Sequence, residues 1–167
     1  AQVYTCMRTV LAVDVDSNIY SSGTEGAQWT PGGTGLPNAL PQGFAAIGDT
    51  LFLAMGDNGV YRSTDQGLNW TSANNGIPMP LTICELTSCG PNLFARFTGG
   101  SLATNLLVSA DRGGSWTARS LTGISLGYRN LKHIEAFGSR LFGGAGTSNV
   151  FYSDAFGTSP WTGGAST

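Results

Sequence analysis

A chain of 167 residues is long enough for one domain with a real core and too short for two comfortable ones. Charged residues make up only 11% of it and apolar ones 41%, which excludes a disordered, charge-rich chain and leaves Ser, Thr, Asn and Gly to cover most of the surface. A formal net charge of -2 gives no electrostatic footprint for nucleic acid or an anionic membrane, and no apolar run approaches the length of a membrane-spanning helix.

The chain opens with VYTCM, then TVLAV at 9–13, then IYSSGTEGAQW, which ends on Trp29. The same succession returns as GFAAIGD, TLFLA at 50–54 and VYRSTDQGLNW, ending on Trp70. It returns again as CELTSCG, NLFARF at 92–97 and LVSADRGGSW, ending on Trp116, and finally as IEAFGS, RLFGG at 140–144 and FYSDAFGTSPW, ending on Trp161. The tryptophans are therefore 41, 46 and 45 residues apart.

Each repeat reads as four short strands. In the second they are FAAIG, TLFLAM, GVYRST and NWTSA, separated by Gly, Asp and Asn turns. No helical period persists along the chain. Four strands per repeat, repeated four times at this spacing, predict an all-β chain: a β-propeller of four-stranded antiparallel blades at about 1–41, 42–82, 83–130 and 131–167. Residues 1–167 form either one propeller domain or a propeller segment.

The spacing Ser-x-Asp-x-Gly-x-x-Trp resembles the Asp-box, or BNR, repeat of sialidases, xyloglucanases, sortilin-type receptors and photosystem assembly factors. Ser63, Asp65, Gly67 and Trp70 match it fully, as do Ser109, Asp111, Gly113 and Trp116. The first repeat keeps Ser22, Gly26 and Trp29 but has Thr24 in place of the aspartate. The fourth keeps Ser153, Gly157 and Trp161, with an extra residue before the tryptophan and its acid shifted to Asp154. Physically, such a carboxylate suits a tight turn whose N–H groups lack ladder partners, glycine supplies a positive φ, and tryptophan wedges between blades. Asp65 and Asp111 are thus expected to be turn staples rather than catalysts. The resemblance implies that these turns lie on the rim, away from the central binding face.

Catalytic candidates are few. The arginine-containing signature of sialidases is missing, the nearest string being GIP at 76–78, and the glutamates are Glu25, Glu85 and Glu135. Among the free acids Asp14, Asp16, Asp49 and Asp57, the last three fall in turn sequences, so a paired-carboxylate glycosidase finds no convincing pair. DVDSN at 14–18 imitates a calcium loop but places Ile19 where glycine belongs. His133 is the lone histidine, so no zinc cluster is available. No metal or cofactor is expected. Tyr128, Arg129 and Lys132, in the locally basic YRNLKHIE, form a candidate binding face, with a solvated connection as the alternative. Cys84 and Cys89 are close enough in sequence to suggest a disulfide that leaves Cys6 over, with buried thiols as the alternative.

Residues 1–83 hold two basic residues against six acids, and 84–167 hold six against four, so head-to-tail association would bring opposite signs together. Four blades admit a compact ring, an eight-bladed ring built from two chains, a filament, or a segment of a longer protein. The leading expectation is a non-catalytic propeller, secreted with its signal peptide already removed. It would act as a self-assembling homo-oligomeric scaffold or bind a protein or glycan, without nucleic-acid partners. The competing expectation is part of a sialidase- or xyloglucanase-like glycoside hydrolase.

Overall fold

A computed structural model describes residues 2–6, 9–78, 80–99, 104–124, 130–146 and 149–163. They form four antiparallel sheets of four strands, each sheet contiguous in sequence. The first holds β1 (Gln2–Cys6), β2 (Thr9–Val13), β3 (Ile19–Ser22) and β4 (Thr30–Pro31), and the second β5 (Gly43–Ile47), β6 (Thr50–Ala54), β7 (Val60–Ser63) and β8 (Thr71–Ser72). The third holds β9 (Thr82–Cys89), β10 (Asn92–Thr98), β11 (Leu106–Ser109) and β12 (Thr117–Ala118). The fourth holds β13 (Leu131–Phe137), β14 (Arg140–Ala145), β15 (Asn149–Ser153) and β16 (Trp161–Gly163), with a single turn α1 (Asp154–Gly157), left-handed at Ala155 and Phe156, before its last strand.

Local chemistry sets each ladder. The hairpins of the last three blades turn in two residues, pairing Ile47 with Thr50, Cys89 with Asn92 and Phe137 with Arg140. Each turn starts on a glycine of positive φ, 58° or 59°, which suits the tight twisted hairpin. The fourth strands are much shorter than the sequence suggests: β8 covers two residues where NWTSA was expected. Trp70 leaves the ladder because its N–H donates instead to the Thr34 carbonyl of the connection from the preceding blade, at 2.8 Å. Trp116 N donates likewise to Asn75 O and Trp161 N to Thr122 O.

Successive blades stack through their apolar faces. Leu11, Val13 and Ile19 of blade one meet Leu51, Leu53 and Trp70 of blade two. Phe52 and Val60 of blade two meet Leu93, Ala95 and Trp116 of blade three. Phe94 and Leu106 of blade three meet Ile134, Leu141 and Trp161 of blade four. The inner strands β1, β5, β9 and β13 also pack in that order. Among the described residues, β1 and β13 do not pack together as β5 and β9 do, and three inter-blade cores form rather than four. Among the described residues the blades make an open arc and not a compact closed ring.

The disulfide expectation is corrected: Cys84 and Cys89 are both free thiols. Both lie on the extended strand β9, where five residues span about 16 Å. A disulfide needs Cα atoms within about 7 Å.

Candidate functional site

The Asp-box-like turns join the two outermost strands of each sheet. In blade two, Ser63 Oγ accepts from Gly67 N at 2.9 Å and donates to Asp65 Oδ1 at 2.8 Å. Asp65 also accepts from Asn69, through its backbone N at 2.9 Å and its side-chain amide at 2.7 Å. In blade three Asp111 binds Ser109 and Ser115 in the same pattern. These donors favour the charged form and hold the Asp65 carboxyl below its ordinary range and that of Asp111 at about 2. Blade one makes a neutral version: Thr24 Oγ1 accepts from Gln28 N at 2.9 Å and Ser22 Oγ from Gly26 N at 2.9 Å.

Blade four replaces the carboxylate with a cation from its neighbour. Ser153 donates to the Ser159 carbonyl, while Arg119 of blade three donates to the carbonyls of Gly157 at 2.8 Å and Ser159 at 2.5 Å. Asp154 is turned outward to pair with Arg140 at 2.6 Å. The residue before the tryptophan, Asn69 or Ser115, completes the staple and was missed in the sequence. Its polar side chain four positions after the aspartate is the signal that could have revealed it.

Asp14 and Asp57 also have structural partners. Asp14 accepts from the N–H groups of Asp16 and Asn18, and Asp57 from Thr82 Oγ1 at 2.5 Å. Asp14 titrates below its usual range because the Asn18 side chain and backbone bind its charged form. Cys84 and Cys89 titrate above the ordinary thiol value because burial disfavours thiolate, which makes them poor nucleophiles. Among the described residues no group of three His, Cys, Asp or Glu side chains converges as a metal site requires. Tyr128 and Arg129 lie outside the described residues. Lys132 is exposed on β13.

The structure does bring together one constellation with no sequence signature. Glu85 on β9 accepts from Arg96 Nε of β10 at 2.7 Å and from Ile134 N of β13 at 3.2 Å, and His133 closes on the same carboxylate. This cluster ties blade three to blade four at the inner strands. Beside it lies an axial groove of about 300 Å³ to which every blade contributes its inner strand. Thr5 comes from β1, Phe44 to Ala46 from β5, Leu86 to Ser88 from β9 and Glu135 from β13. Tyr4 stacks on Phe44, with centroids 5.3 Å apart. All four inner strands are sheet-end strands, with β9 bridged at its edge only from Ile83 to Gly56 and the Ile134 N–H of β13 taken by Glu85 among the described residues. Glu135 is the one carboxylate in the groove lining.

A larger cleft of about 380 Å³ sits over blade one and its exit connection, with a lining that carries no charged side chain. It offers shape without reactive groups.

No family model matches the chain, and no curated protein matches it. Solved structures do. YCF48 from Cyanidioschyzon merolae is 16% identical with a TM-score of 0.67, over 96% of this chain and 53% of that one. A structure of YCF48 bound to D1 peptide is 14% identical with a TM-score of 0.64, over 93% and 51%. The GH74 xyloglucanase of Xanthomonas campestris is 14% identical with a TM-score of 0.62, over 93% and 29%. The fold is a β-propeller. The chain spans about half the length of these YCF48 structures and less than a third of the xyloglucanase. At such identities the likeness is one of fold.

Proposed function

We propose that this chain is a non-catalytic, extracellular propeller module. It recognises an extended protein segment in its axial groove and associates through its end blades. The observation that carries the reading is the groove itself: sheet-end inner strands, hydroxyls of Thr5, Thr87 and Ser88, and the apolar surface of Phe44 and Leu86. Backbone edges with alternating pockets suit an added strand of peptide. A YCF48 structure of this fold is bound to D1 peptide, which supports a peptide ligand. The lysine-poor, weakly charged surface supports an extracellular setting.

The glycoside-hydrolase reading draws on the likeness to the GH74 xyloglucanase. It needs two carboxylates about 5–10 Å apart across a sugar. The groove lining offers Glu135, while neighbouring Glu85 is held by Arg96, His133 and the Ile134 N–H. This favours binding over turnover.

A fluorescence-polarisation screen of peptides, run beside a glycan array and a xyloglucan and aryl-glycoside hydrolysis panel, tests the choice. Peptide binding that Ser88→Trp weakens at least about tenfold supports the proposal. Glycan binding without peptide binding reassigns the ligand. Turnover abolished by Glu135→Gln replaces the proposal with the hydrolase.

A further inference from the structure

Every internal blade boundary repeats one contact. The turn glycine of each later blade lies over an apolar side chain of the blade before it: Gly67 over Leu11, Gly113 over Phe52 and Gly157 over Phe94. A β-carbon on these glycines would come within 2.6, 3.0 and 2.5 Å of those side chains. The covered residue is always the third of the second strand, and in β14 that position is Phe142, which is only half-buried. Two more positions follow the rule. Ile47 and Cys89, which end β5 and β9, are buried, whereas Phe137, which ends β13, is 80% exposed. Ile19, Val60 and Leu106 are buried, whereas their counterpart Val150 is 50% exposed.

Blade one shows the complementary half. Trp70, Trp116 and Trp161 are 2–3% exposed against the preceding blade, but Trp29 is 43% exposed. Leu51, Leu93 and Leu141 are buried, while Val10 at the same place in β2 is half-buried. Among the described residues, every exposed large apolar side chain lies in blade one, in blade four or in the connection leaving blade one.

Charge follows the same register. Across the last boundary, Asn92, the first residue of β10, donates to the carbonyl of Phe156, the residue before Gly157, at 3.0 Å. The counterparts on the two free faces are Glu25 and Arg140, of opposite sign, Arg140 being also paired with Asp154 of its own blade.

The geometry points to a second copy of this chain as the occupant of these faces. Blade one of one copy docks on blade four of the other, Gly26 and Trp29 over Phe142 and Glu25 beside Arg140. The contact is heterologous, and two copies close a ring by making it twice. It rests on the reading of a module that associates through its end blades, and it supplies the partner and the residues.

The test is light scattering coupled to size exclusion on the wild-type chain, Trp29→Arg, Phe142→Asp and an equimolar mixture of the two variants, each with its thermal melt. Wild type should exceed 17.3 kDa increasingly with concentration. Each variant alone should melt like wild type yet raise the dissociation constant at least about tenfold. The mixture should recover a dimer and stop there, because one intact contact remains. Glu25→Arg should weaken association, and adding Arg140→Glu should restore it. A wild type that stays monomeric assigns the faces to another segment or protein and overturns the inference, while peptide binding in the groove remains separately measurable. Association that neither variant disturbs also overturns it, leaving self-association to another surface. A mixture that fails to pair overturns the head-to-tail arrangement.

Discussion

Phe52 of blade two lies against Gly113 of blade three, with its Cε1 3.0 Å from where a β-carbon on that glycine would stand. Gly113 also has a φ of +76°, which a side chain resists. Gly113→Ala therefore meets both strain and crowding, and should destabilise by about 2 kcal/mol. That corresponds to a fall of about 4–8 °C in melting temperature. Gly48→Ala is the control, since its φ is +58° but nothing lies within 4 Å. Equal losses in the two variants would show that backbone strain alone is responsible.

Acid should loosen the Asp111 turn in a defined window. Its folded carboxyl titrates at about 2 against an ordinary 3.8, through bonds from Ser115 and Ser109. A depressed carboxyl stabilises fully above the ordinary value and loses that contribution as pH falls through the folded one. The melting temperature of wild type should fall more steeply than that of Asp111→Asn between pH 3.8 and about 2. Parallel slopes would refute the staple role.

Arg119 is half-buried and clamps two carbonyls of the next blade's turn. Arg119→Met keeps its stem but leaves those carbonyls without donors, at a cost of about 2 kcal/mol. Hydrogen exchange should accelerate in 149–163 before it does in 43–72. A uniform acceleration would mean that blade four depends on other contacts.

Cys84 and Cys89, being unpaired, should each react with a thiol reagent once the chain is unfolded without reductant. Peptide mapping of the unreduced protein should give no linked 84–89 pair.

What could be read from the chain and what could not follows from distance along it. The Ser63, Asp65 and Gly67 turn and its copies are closed by bonds spanning two to four residues, so their residue types recur visibly. The cluster of Glu85, Arg96 and His133 joins three strands from two blades, and no local pattern announces it. The two-residue length of β8 was hidden for the same reason, because Trp70 exchanges a ladder bond for one to Thr34.

The sequence by itself determined the repeat, the strand order within each blade and the chemistry of the outer turns, because these are short-range consequences of alternation, glycine and hydroxyl or carboxyl spacing. Only the tertiary structure decided that four blades leave an open arc, that Cys84 and Cys89 stay apart on one strand, and that the inner strands enclose an axial groove. Blade curvature is a small rotation at each boundary, set by how side chains such as Phe52 and Trp116 pack, and no single repeat encodes the sum.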